Sequence, residues 1–284
     1  MSWQISNRFL IPRATGHAVD RGWTAATDHE PVAITWHWSA TATLAECSNL
    51  LGGSTPLRRG VASAHYAVGR SYAEGVDRYV GLEDRSWHAG KNQTLRWDGR
   101  PYRSADDKGA RTSIGIETIN LGYARPGLPA GRDWLRADST DGRWRMRIQP
   151  WTDEQITMMI AVGQEVVARW PNIGPSDHHG HHDICPGYKV DPLAFPFAQL
   201  LRGIYDDPSI PDVWTPFWTA RGRIRALRDL GYDPGPAGAG GRWDERCDQA
   251  LRRLQRDMDL VPDGRWSTFV CWRVHDALPD DPRA

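Results

Sequence analysis

The sequence predicts an α/β fold, a mixed central sheet flanked by helices, followed by a small C-terminal domain of three helices. Three observations lead there. Val32-Ala33-Ile34-Thr35-Trp36-His37-Trp38 is a β-branched, apolar run of the kind that forms a buried strand, and Ser113 to Ile119 reads as another. Thr152-Asp153-Glu154-Gln155 opens a capped helix with Ile156, Met159, Ile160, Val166 and Val167 on one apolar face. Beyond a proline-bearing stretch, three further apolar stripes recur at helical spacing.

In chain order, residues 1–30 read as an edge segment wrapping the domain. After the His37 strand, Thr43 to Leu51 predicts a short helix closed by Gly52-Gly53. Val61 to Val68 and Asp77 to Val80 read as strands, joined through a turn at Glu74-Gly75. Leu121 to Pro150 is rich in Gly, Pro, Arg and Trp and shows no periodicity, so it is expected as a long connection forming a wall of the substrate groove. Gly163 falls on the apolar face of the following helix, where it costs about 1 kcal/mol relative to alanine. Close packing against a neighbouring element is the expected reason. The helix should end near Trp170-Pro171.

With 284 residues and 32.0 kDa the chain is long enough for one large domain and one small one, expected at 1–200 and 220–284 with a linker at 201–219 stiffened by Pro208, Pro211 and Pro216. In the small domain, Ile224, Leu227 and Leu230 form a stripe closed by Gly231. Leu251, Leu254 and Met258 mark a second helix, and Val270, Val274 and Leu278 a third. Residues 220–284 hold 12 Arg against 11 Asp plus Glu, so charge alone does not drive binding there.

The formal net charge of the whole chain is zero, which removes any electrostatic case for nucleic acid or an acidic membrane surface. No apolar stretch is long enough to span a bilayer, so no membrane insertion is expected. The start, Met1-Ser2-Trp3-Gln4-Ile5-Ser6-Asn7-Arg8, lacks the pattern of a signal peptide. Cys47, Cys185, Cys247 and Cys271 have no CxxC spacing and are expected as free thiols in a reducing cytosol. The 15 tryptophans are core residues by default, although aromatics with arginine also suit sugar-binding surfaces.

The chemistry concentrates in Gly180-His181-His182-Asp183-Ile184-Cys185-Pro186-Gly187-Tyr188-Lys189-Val190-Asp191-Pro192. Its prolines and glycines forbid one continuous helix and can aim several polar side chains at one point. His181 and Asp191 are of zinc-binding types. Only three of the 35 basic residues are lysines, so Lys189 in this loop suggests a use for a compact ammonium. His37, near the end of its strand, is a candidate third ligand. The residues alone leave two other readings open: a polar surface loop, and a core histidine with its hydrogen bonds satisfied.

Five blocks taken together resemble the zinc-dependent N-acetylmuramoyl-L-alanine amidase family, which includes many phage endolysins. They are Ile34 to Thr41, Ser63-Ala64-His65-Tyr66, Leu82 to Gly90, Ser113 to Asn120, and the Gly180 to Pro192 loop, in the family's order over residues 30–200. The resemblance implies Zn2+ held by His37, His181 and Asp191, with Glu117 and Lys189 as catalytic helpers. Asp191 takes the ligand position, so Cys185 is not expected to bind metal. His65, Trp87, His88 and Asn120 are candidates for lining the groove, and for His65 and His88 a hydrogen-bonded structural role is an equal reading. Ala64 stands where some relatives carry a catalytic tyrosine, which points to the branch relying on a strand glutamate. Residues 220–280, with Ala250-Leu251-Arg252-Arg253-Leu254-Gln255 in the middle helix, resemble a three-helix peptidoglycan-binding domain. A helical packing or dimerisation module is the alternative.

What the resemblance implies is a bacteriolytic hydrolase of bacterial peptidoglycan, made in the host cytoplasm and reaching the wall after holin-type release, with a monomer favoured. The alternatives are a cytosolic anhydro-muropeptide amidase of wall recycling and a non-catalytic peptidoglycan-recognition protein.

Overall fold

The computed structural model describes residues 3–10, 23–24, 29–52, 62–90, 94–97, 100–103, 108–236 and 241–278. The elements begin β1 (Ile5–Ser6), β2 (Trp23–Thr24), β3 (Ala33–Trp38), α1 (Leu44–Leu51), β4 (Tyr66–Val68), β5 (Val76–Arg78) and β6 (Arg85–Ser86). They continue as β7 (Thr94–Trp97), β8 (Arg100–Arg103), α2 (Lys108–Thr112), β9 (Ser113–Thr118), β10 (Leu135–Asp138), β11 (Arg145–Ile148) and α3 (Asp153–Arg169). The last are β12 (His178–Gly180), α4 (His181–Ile184), α5 (Phe197–Tyr205), α6 (Ala220–Asp229), α7 (Glu245–Asp257) and α8 (Thr268–Ala277).

The central sheet has six strands in the order β1-β5-β4-β9-β3-β12. β4, β9, β3 and β12 run parallel to their neighbours, and β4 pairs with β5 antiparallel, so the sheet is mixed as expected. β3 is buried at all six positions, which accounts for its near-continuous apolar run. Thr43 caps α1 through Glu46 N–H and Gly52 closes it, while Gly75 takes a positive φ of 72° before β5. Val61, Gly53 and much of 1–30 lie outside the described residues. Ile5–Ser6 forms the edge strand beside β5.

α3 starts where its cap predicts, with Thr152 accepting from Gln155 N–H. Gln155 Nε2 then donates to the Val68 and Ile119 carbonyls, fastening the first turn of α3 to the sheet. A Cβ on Gly163 would lie 2.3 Å from Ile204 Cδ1 of α5, which is the close packing that the glycine permits.

Residues 121–150 are not an irregular connection: they hold the β10–β11 hairpin, turning through Ser139 and Gly142, where Gly142 N–H donates to Ser139 O at 2.7 Å and φ is 70°. Arginines on the outward face hide the alternation that buries Ala137 and Ile148. The histidine-rich loop contains two short regular elements, β12 and α4. β12 has no β-branched residue and is a strand because it pairs with β3, a tertiary effect that local propensity does not carry.

The three C-terminal helices fall where their stripes predict. Their core is not separate: Leu227, Leu251, Leu254, Val270 and Val274 belong to one buried cluster with Ile34, Trp36 and Ile116 of the sheet. The stretch 201–219, expected as a linker, begins inside α5 and buries Leu201, Ile204, Ile210, Val213, Trp214 and Phe217. None of the four cysteines forms a disulfide, and all four are buried. Among the described residues, no helix is long and apolar enough to cross a membrane.

Candidate metal centre

The site lies at the carboxyl ends of three adjacent parallel strands, the place where open α/β sheets bind ligands. His37 is the fifth residue of β3 and stands in register with Glu117 on β9, so both side chains leave the same face. β12 ends at Gly180, and His181 opens α4 immediately beyond it. The loop returns through a turn at Gly187, with φ of 83°, and Asp191 O accepts from His182 N–H at 2.8 Å.

That return brings together the three residues expected as metal ligands. Asp191 Oδ2 lies 3.5 Å from His37 Nδ1 and 3.2 Å from His181 Nδ1, and all three residues are buried. Donors about 2.0–2.1 Å from a tetrahedral zinc would be about 3.3 Å apart, so the spacing suits such an ion. Among the described residues this is the one group of three or more His, Cys, Asp or Glu side chains that could hold a metal.

The hydrogen-bond pattern fits a cation as well. Glu117 Oε2 is buried without a hydrogen-bond partner, the condition left when the water of a bound cation belongs there. His37 Nε2 is 3.0 Å from His88 Nδ1, and His88 Nε2 is 3.2 Å from the Ser113 carbonyl. A carbonyl only accepts, so His88 carries its proton on Nε2 and His37 donates through Nε2. The His37 Nδ1 lone pair is thereby left facing Asp191 and His181.

Electrostatics agree with those tautomers. Burial, with the neighbouring His181, lowers the His37 pKa to about 4, keeping it a neutral ligand. Asp191 is held far below the usual carboxylate range by His181 and His37, against the opposing effect of burial. Burial, then Asp191, raises Glu117 to about 8, while Lys189 acts in the opposite direction. Lys189 is half-buried, its Nζ 5.1 Å from the Tyr188 ring centroid, and its charge is felt by both Glu117 and His37. A bound dication would pull Glu117 back toward the carboxylate.

The four groove candidates separate. His88 is a hydrogen-bond partner of His37. His65 is fully buried; its Nδ1 accepts from Gly115 N–H at 3.0 Å and its Nε2 donates to Asp84 O at 3.0 Å, a structural role away from any groove. Asn120 is also fully buried, donating to Gln149 O and accepting from Gly122 N–H. Trp87 is half-buried, its backbone N–H donating to Ser63 Oγ. Cys185 stays out of the cluster and donates to Ala89 O.

Asp183 and His182 escaped the sequence reading. Asp183 Oδ2 accepts from Gly180 N–H at 2.8 Å and Oδ1 lies 3.2 Å from His182 Nε2. The available signal was a carboxylate three residues after the glycine that starts a helix. Asp183 is lowered to about 2 by His182 despite burial.

The profile of the N-acetylmuramoyl-L-alanine amidase family matches residues 27–194, and that of a peptidoglycan binding domain matches residues 225–269. AmpDh3 from Pseudomonas aeruginosa, solved in complex with anhydromuramic pentapeptide, is similar over 90% of this chain and 93% of its own, at 22% identity and a TM-score of 0.50. AmiD from E. coli, in complex with anhydro-N-acetylmuramic acid-L-Ala-D-γ-Glu-L-Lys, is similar over 89% of this chain and 91% of its own, at 21% identity and a TM-score of 0.47. The catalytic domain of XlyA covers 71% of this chain and 99% of its own, at 18% identity and a TM-score of 0.41. No curated protein sequence matches the chain.

Proposed function

Since this chain belongs to the N-acetylmuramoyl-L-alanine amidase family, we propose that it cuts the amide between N-acetylmuramic acid and L-alanine in intact bacterial cell wall, as a phage endolysin using zinc. The observation that carries the reading is the buried meeting of His37, His181 and Asp191 beside a partnerless Glu117 carboxylate oxygen. Residues 1–200 are assigned the catalysis and 220–284 the wall binding, with 201–219 connecting them. Wall contact rather than entry into a membrane is the reading for where it acts.

His37, His181 and Asp191 would hold the zinc. When bound, it would supply a Lewis acid and a water acidified to about pKa 7. Glu117, on the rigid strand β9, accepts the proton of the attacking water and delivers it to the leaving amine. The Lys189 ammonium faces the negative charge that develops on the carbonyl oxygen. His88 keeps the His37 imidazole oriented, and burial keeps His37 neutral, so the donor set stays ready for metal at neutral pH.

Mass spectrometry of purified peptidoglycan after digestion tests this, with and without a chelator. New free L-alanine amino termini on intact glycan strands, lost on chelation, are expected. Comparing intact wall with soluble anhydro-muropeptide separates the endolysin from the recycling enzyme, because the first should turn over wall faster. Absence of any cleavage in the zinc-loaded protein would favour a recognition protein.

A further inference from the structure

We propose that the C-terminal helical module is part of the support of the metal loop: the Thr268 N–H at the start of α8 holds Asp183, and through it the ligand-bearing segment His181 to Asp191. The proposal deepens the amidase reading and rests on it for the identity of the metal centre.

Four of the five residues 265–269 of the module touch the catalytic part. The Arg265 guanidinium passes Gly187, where a Cβ would come within 3.0 Å of Nη2. Trp266 N–H donates to Thr140 O at 2.7 Å. Ser267 caps α8 by accepting from Val270 N–H at 3.2 Å, and Thr268 N–H donates to Asp183 Oδ1 at 2.9 Å. Phe269 packs against the cluster of Ala33, Ala89, Ala110, Ile184 and Cys185, with its ring 6.0 Å from that of His179.

Asp183 has no exposed side-chain surface, so each oxygen must find its donors inside the protein. Oδ2 takes the Gly180 N–H immediately before His181, a bond within the loop. Oδ1 is shared by His182 Nε2 and by Thr268 N–H, which arrives from 85 residues further along the chain. His182 in turn directs Nδ1 at the Asp191 carbonyl at 3.1 Å. The path from α8 to both loop ligands thus runs through Asp183 and His182, and Thr268 supplies its outer end. Loss of groups that orient metal ligands typically costs about 10–100-fold in metal affinity.

A single backbone donor can be removed without disturbing the helix. Thr268 is the first residue of α8, where proline is favoured, and Ser267 has φ −89° and ψ 169°, a conformation that suits the residue before a proline. Thr268→Pro therefore removes the N–H, and Thr268→Ala keeps it while losing the same side chain. In the full-length protein, zinc affinity by chelator competition should fall about tenfold or more in Thr268→Pro relative to Thr268→Ala. On a soluble muropeptide kcat should fall with KM unchanged, and sedimentation with cell wall should stay the same. Equal zinc affinity and equal kcat in two folded variants would overturn the proposal. If Thr268→Pro does not fold, amide exchange in the wild-type protein decides: slower exchange at Thr268 on adding zinc supports the link, and unchanged exchange overturns it. Loss of muropeptide cleavage in wild type and Thr268→Ala alike would instead defeat the amidase reading, leaving the zinc and exchange measurements in force.

Discussion

His37 donates its Nε2–H to His88 Nδ1 across 3.0 Å, and His88 is itself anchored on the Ser113 carbonyl. The His37 nitrogen that faces Asp191 and His181 is thus aimed by a second imidazole, held in one tautomer by a main-chain acceptor. His88→Phe keeps a ring in place but removes the acceptor, and zinc affinity is expected to fall about 10–100-fold. Gly115→Ala should act in the same direction, because its Cβ would come within 2.2 Å of His88 Cγ. Chelator competition reads both; wild-type affinity in His88→Phe would remove it from the support of the site.

Glu117 shares a register position with His37 and has a buried oxygen without a partner. Glu117→Gln preserves shape and removes the base. Zinc content should be unchanged while kcat falls about 10²–10⁴-fold, the range for loss of a positioned general base. Retention of full activity on purified wall would exclude Glu117 from proton transfer.

The legible part of this site was set by strands. His37 and Glu117 sit on β3 and β9, whose apolar runs mark them as buried, and the fold of both follows from local pattern. The loop candidates His181 and Asp191 can be named by residue type, but β12 beside them depends on pairing with β3, which no short-range pattern encodes. Asp183 is legible only in part: its bond to Gly180 N–H is a local capping signal, whereas its other donor, the Thr268 N–H, comes from a distant element. His65 and Asn120, groove candidates on the resemblance, have their polar atoms satisfied by main-chain groups in the interior, which for His65 is the structural role that is the equal reading. The helical tail is legible as three stripes, yet its shared core with the sheet depends on surfaces that a stripe does not identify.

Gly163 and Gly203 face reciprocal isoleucines. A Cβ on the first would meet Ile204 at 2.3 Å, and one on the second would meet Ile160 at 2.4 Å. Helix propensity favours alanine at position 163 by about 1 kcal/mol. Overpacking a buried contact costs about 1–3 kcal/mol, and Ile204 is itself buried, so the clash should win. Gly163→Ala is expected to lower unfolding free energy in urea by about 1 kcal/mol; a gain in stability would show that α3 and α5 separate readily.

Five buried histidines should make the metal-free protein labile to mild acid. Burial lowers His37 to about 4 and His65, His178 and His179 to about 3, from an ordinary 6.5, and it lowers His88 well below that value. The hydrogen bonds require neutral rings in at least three: His178 Nδ1 accepts from Trp36 Nε1–H, His65 Nδ1 from Gly115 N–H, and His88 Nδ1 from His37. Below pH 6.5 these histidines take up protons in the unfolded chain but not in the fold, so the unfolded state binds more protons and stability falls with pH. Each contributes up to about 1.4 kcal/mol per pH unit until the folded pKa is reached. His182 has the opposite sign: Asp183 and Asp191 raise its pKa against burial, so its contribution is complete below 6.5 and fades as pH rises through the folded value. Glu117, raised to about 8 by burial and then Asp191, has this sign as well, because across pH 5–7 the fold keeps a proton that the unfolded carboxylate has lost; two groups cannot offset five. Urea unfolding in chelator should therefore give several kcal/mol less stability at pH 5 than at pH 7. A curve flat across that interval would mean that these histidines are already solvated, or charged, in the native protein.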